Sequence, residues 1–348
     1  MTSTTGANPP PATPPATPPP TPPGPSGLPP DDALRARAWP VLPLAILGWL
    51  AGLLPWLVRR VGGGTFGTPW NPRNDLREAL LPYHHQLLTL LLVVTVTAGV
   101  LAGLAPAWCT SGRSRRPLLA ALATLGAAVA TSWAVAQTLA PDPELGGSGT
   151  TAQQVRLALV ALTVAGSVTG LVLGLGVSLG GPALRVVAAA PAVVVAADWL
   201  GQLVVGAVRN GPPPSWLPTA LAVLSGAVVG MLLAATARSR LVARATAWVV
   251  ALGLLVLTAA ALTAARYVLE SLRGASPRST AVEELLVDGM RVFRGSLSST
   301  LTAWGWPLPP PLTGLLVAVA VAVAVAVGTT LAVRGRRSRA VTEGGPAR

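Results

Sequence analysis

The chain has 348 residues, of which 51% are apolar and only 11% charged, with a formal net charge of +13. Water-soluble chains carry about a quarter charged residues, and the apolar residues here run in blocks of about twenty, the length that crosses a bilayer. A soluble globular domain is excluded, and so are a P-loop lysine and a Schiff-base lysine, because every one of the 25 basic residues is Arg.

Residues 1–37 form a Pro-rich segment, with 13 of the 35 prolines in the first thirty positions. Such a tract favours extended polyproline II and cannot build a core. It is expected to be a disordered tail, with a proline-recognising protein as its candidate partner. The first apolar run begins only near Trp39, so the tail does not resemble a signal peptide.

Eight apolar blocks follow, near 39–58, 86–108, 117–140, 157–180, 184–207, 217–237, 246–268 and 311–333. The expected fold is all-α, a polytopic membrane domain of about eight helices over 38–333, with a basic tail at 334–348. Val–Ala alternation in the last block has the period of a strand, but an unpaired strand cannot sit in lipid, so a helix is expected there too. Arg residues flanking the spans account for the basic charge without nucleic acid. Their distribution in short loops places both termini in the cytoplasm. The Arg59-Arg60 pair after the first span runs against this orientation. The Arg-only, Ala- and Pro-rich composition suggests a high-GC bacterial genome, and hence the bacterial cell membrane.

Trp39, Trp56, Trp108, Trp216 and Trp248 fall at block ends, where indoles favour the bilayer interface. Two outer loops, about 59–85 and 269–310, exceed the length of a simple connection. The second carries a Thr280-x-x-Glu283 capping box followed by Val282, Leu285, Leu286, Phe293 and Leu297 at helical spacing, which predicts an amphipathic outer helix.

Asp198 is the foremost candidate for function. It lies near the middle of the fifth block, where a carboxylate costs at least ~2.5 kcal/mol and needs a partner or a wet cavity. Gln202 is one turn away on the same face. Trp199, and Gln137 in the third block, are further candidates for the same substrate- or ion-binding cavity. Near the outer span ends, Arg73, Arg77, Arg156 and Arg266 are expected to form a basic vestibule, with His84 and His85 as outer-face contacts. Adjacent histidines diverge by about 100° on a helix and do not make a metal pair. No metal or cofactor is expected, and the lone Cys109 permits neither an intramolecular disulfide nor a thiolate cluster.

Small residues recur at four-residue spacing in four blocks: Gly48 and Gly52; Gly99 and Gly103; Gly166, Gly170 and Gly174, continued by Ser178; and Gly226 and Gly230. Such steps let helix backbones approach closely, so these glycines are expected at helix-packing faces. With no motif at catalytic spacing, enzyme activity is not expected. Two functional readings remain. One is a small-solute or ion permease with Asp198 and Gln202 at its midplane. The other is a non-catalytic envelope scaffold or membrane subunit of a larger complex.

Overall fold

The computed structural model describes residues 38–61, 80–82, 87–108, 116–139, 150–208, 214–236, 241–274, 282–302 and 310–343. The Pro-rich segment and most of the first outer loop lie outside these residues. Ten α-helices and no strand are present among the described residues: α1 Val41–Gly52, α2 Leu54–Val61, α3 Leu88–Leu104, α4 Arg116–Leu139, α5 Thr150–Leu179, α6 Pro182–Ala207, α7 Leu217–Ala235, α8 Leu241–Gly274, α9 Val282–Thr302 and α10 Pro310–Glu343. Seven are long and apolar enough to cross a membrane. This is an all-α polytopic membrane protein.

The first crossing departs from the single helix expected over 39–58. At 12 residues α1 spans about 18 Å, short of a ~30 Å hydrocarbon core, and α2 continues it after a break at Leu53. Pro55 explains the break, because it has no N–H to give the carbonyl one turn back. The Leu53 N–H turns to the Leu50 carbonyl at 3.0 Å, and the N–H groups of Trp56 and Leu57 both take the Leu53 carbonyl at 3.0 Å. The Gly52 carbonyl is thereby left without its helical donor. Trp56, expected at the interface, is instead buried beside this break, whereas Trp39, Trp108 and Trp216 are exposed.

Two apolar cores divide the spans. The first is built from α1 to α5, and the second from α6, α7, α8 and α10. The same packing order runs through both. The first span of each half (α1, α6) lies on the second (α3, α7) and third (α4, α8); the second lies on the fourth (α5, α10); the third touches the fourth. The shared packing order is that of a repeated four-helix unit.

In each half the second and fourth spans run parallel and make the most extensive contact, at glycine steps. On α5, Gly166, Gly170 and Gly174 all face α3. A side chain at Gly170 would overlap the Val96 carbonyl oxygen, and one at Gly166 would run into the Thr95 hydroxyl. Gly174 is buried one turn further on, where a Cβ would overlap the Val100 carbonyl oxygen and lie 2.8 Å from the Gly103 Cα. The seam is reciprocal. From α3, a Cβ at Gly99 would collide with the Ser167 carbonyl oxygen, and one at Gly103 would lie 2.6 Å from that of Leu171. Ser178 ends the row with a hydroxyl that donates to the Gly103 carbonyl at 2.7 Å, tying α3 to α5. In the second half, a Cβ at Gly230 would lie 2.5 Å from the Ala318 carbonyl oxygen, while Gly226 faces Gly314. Gly48 and Gly52 admit α3 against α1 in the same way.

Two helices extend further than expected, α8 and α10. α8 runs on to Gly274, and α9 packs against it, with Gly289 set against Val268. Leu297 joins the second core from α9. The capping Thr280 lies outside the described residues, as do the side chains of Val282, Leu285 and Leu286. α10 continues as helix to Glu343, through the segment read as a basic tail.

Gly170→Ala should therefore force α3 and α5 apart and cost about 1–3 kcal/mol, seen as a lower thermal midpoint in detergent or bilayer. Gly253→Ala, where a Cβ meets nothing within 4 Å, should change stability by less than about 1 kcal/mol. Equal losses in the two variants would contradict the packing account.

Candidate functional site

α6 is the helix that joins the two halves. It packs against α2, α3 and α5 of the first and α7 and α8 of the second. Its three polar-tipped side chains near the far face, the one where α2 and α6 end, each reach a different element.

Trp199 is the partly buried residue by which α6 enters the first core. Its indole N–H donates to the Gly52 carbonyl at 2.7 Å, the acceptor orphaned by the α1–α2 break. Backbone acceptors inside hydrocarbon must be satisfied within the protein, and Trp supplies a donor together with a large apolar body. Gln202, one turn on, accepts at Oε1 from the Arg59 guanidinium at 2.7 Å. Arg59 reaches it because Gly206 has no side chain: a Cβ there would lie 2.8 Å from the Arg59 Cγ.

Asp198 turns the other way, toward the second half. Its Oδ1 is held by Arg266 Nη2 of α8 in an ion pair. The Asp198 side chain is 13% exposed and that of Arg266 41%, so the arginine is the more accessible partner. Asp198 Oδ2 and Arg266 Nε are both buried without a hydrogen-bond partner in the structure. The pair therefore leaves one carboxylate oxygen and the guanidinium Nε unsatisfied, and a half-satisfied buried pair costs more than an apolar contact. Asp198 is nine residues from the end of α6 at Ala207, about 14 Å along the helix.

The remaining sequence candidates fall elsewhere. Gln137 has a buried Oε1 with no partner, but it sits on α4, which packs on α1, α3 and α5 rather than on α6. Arg266, expected in a basic vestibule, pairs with Asp198. His84, His85, Arg73 and Arg77 lie outside the described residues, as does the side chain of Arg156. Arg59 was legible only as a conflict with the expected orientation; its role depends on the Pro55 break and on Gly206, which lies 147 positions further along the sequence.

An open groove of about 680 Å³ lies between α4, α5 and α6, lined by Ala120, Gly176, Leu184, Ala188 and Pro191 with Arg116 at its rim. It is almost wholly apolar, and Pro191 is seven residues from Asp198 toward the opposite face, so it is a separate feature. No group of three His, Cys, Asp or Glu side chains able to hold a metal occurs among the described residues. In comparison with known proteins, no family model, no curated protein and no solved structure matches this chain.

Arg266→Gln leaves Asp198 buried and unpaired, and should cost about 1–3 kcal/mol after allowance for the exposed edge of the pair. In a double-mutant cycle, Asp198→Asn with Arg266→Gln should recover at least half of that loss. Strict additivity of the two single changes in thermal or denaturant stability would show that the groups do not interact.

Proposed function

We propose that the protein is a small-solute or ion permease, with its site at the far-face end of α6 and the pairs Asp198–Arg266 and Arg59–Gln202 closing it. The observation that carries this reading is the half-satisfied ion pair inside a membrane span. Ionisable groups are expensive there, and transport pathways are where that expense serves a purpose. The discontinuous α1–α2 crossing beside it supports the same reading, since transporters place binding sites at broken helices between repeats. In this reading the far face is the outer face of a bacterial cell membrane and both termini are cytoplasmic, as the loop arginines indicate.

A second reading has its own observation. On α9, beyond the spans, Val287 and Met290 are 55% and 52% exposed. Apolar side chains presented outside the bilayer suit a docking surface, which favours a membrane subunit or envelope scaffold.

Cysteine accessibility separates the two. With Cys109 replaced by Ser, single cysteines at 198 and 202 should react with a membrane-impermeant maleimide applied from the outer face, while one at Val195, buried one turn deeper, should not. Protection of all three positions in correctly inserted protein would exclude an aqueous route and leave the docking role.

A further inference from the structure

The charges around the far-face end of α6 are unevenly paired. Arg59 and Arg266 flank consecutive turns of the same helix, through Gln202 and Asp198, and Asp198 is committed to Arg266. Arg59 has a neutral amide as its hydrogen-bond acceptor and no carboxylate partner among the described residues. Glu270, one turn beyond Arg266 on α8, is exposed and forms no ion pair among the described residues. Arg59 is thus the guanidinium of this cluster that faces no carboxylate among the described residues.

An arginine near a span end ordinarily extends its charge into the interface. Arg59 instead turns inward, its stem seated over Gly206 and its head on Gln202. The geometry leaves donors to spare. A guanidinium has five N–H groups in a planar fork suited to oxyanions. Gln202, having accepted at Oε1, keeps its amide N–H groups. The Arg266 Nε is buried and unpartnered. Around Arg59, donors outnumber acceptors among the described residues.

From this surplus we infer that the far-face end of α6, between α2 and α8, binds a small oxyanion, a carboxylate or a phosphate, with Arg59 as its principal ligand and Asp198 as a built-in competitor for Arg266. The assignment rests on the permease reading and gives it a substrate class. Two sources share this chemistry, a free anion and the phosphate of a lipid headgroup.

The test uses the full-length protein, purified in detergent and stripped of lipid, with inorganic phosphate and acetate as probes at constant ionic strength. Binding is read from the thermal midpoint and from tryptophan fluorescence. Both anions should act saturably on the wild type. Arg59→Gln should weaken the effect at least tenfold, Arg59→Lys should restore part of it, and Arg294→Gln on the exposed face of α9 should leave it unchanged. Asp198→Asn should tighten binding several-fold by freeing Arg266, a gain that a merely structural Asp198 would not produce. Phosphatidylglycerol added to the micelles distinguishes the sources: an Arg59-dependent shift with lipid alone assigns the headgroup, and one with phosphate alone assigns the free anion.

Equal anion affinity in wild type and Arg59→Gln would overturn the proposal, as would weaker binding in Asp198→Asn. A saturable effect of choline or ammonium, lost in Asp198→Asn, would reverse the substrate charge and overturn the anion site while leaving a permease standing. Absence of any saturable ion effect, together with maleimide protection at 198 and 202, would overturn both.

Discussion

A backbone carbonyl without its helical donor is the constraint around which the polar contacts of this structure are arranged. Pro55 interrupts the first crossing and leaves the Gly52 oxygen without a helical donor, in a medium that offers no water to replace it. The indole N–H of Trp199 answers that need from another helix, 147 residues further along. Once Trp199 is fixed there, its neighbours on α6 are fixed as well. Gln202 is carried to Arg59 on α2, and Asp198 is turned toward Arg266 on α8. The backbone break and the polar cluster on α6 are thereby linked through one residue, within a join that α6 also makes by packing on α2, α3 and α5.

Within each half, cohesion has a different origin. Lipid tails are as apolar as leucine, so burial does not drive helices together in a bilayer, and close backbone contact must do so. The glycine steps of α3 with α5 and of α7 with α10 bring backbones together in parallel pairs at equivalent places in the two halves. α6 packs on both groups of helices, against α2, α3 and α5 on one side and α7 and α8 on the other, so the two cores belong to one continuous unit.

Much of this architecture was legible in the sequence, for physical reasons. Unbroken apolar length identified the spans, because it is a local property of the chain. Glycine spacing identified the faces where helices meet for the same reason, although it could not say that Gly170 and Gly174 would meet α3 in particular. Asp198 stood out because a carboxylate in such a stretch has few acceptable explanations. The partners were not legible. Asp198 and Arg266 are 68 positions apart, Arg59 and Gln202 are 143 apart, and nothing local links either pair. Arg266 consequently read as an outer vestibule cation, and Arg59 as an awkward loop charge. Trp56 read as an interfacial indole because the sequence pattern carries no sign that Pro55 breaks the crossing inward of it. Exposure at Trp39, Trp108 and Trp216 follows the interfacial rule that Trp56 escapes.

The polar contacts of α6 therefore centre on Trp199 meeting Gly52. The measurement that tests this most directly is solid-state NMR of the full-length protein in lipid bilayers, with the indole nitrogen of Trp199 assigned by Trp199→Phe. The account predicts a through-space correlation from the Trp199 Nε1–H to the Gly52 carbonyl carbon, and slow exchange of that proton with water. A rapidly exchanging indole with no such correlation would contradict it, leaving the break at Pro55 and the polar turn of α6 as unrelated features.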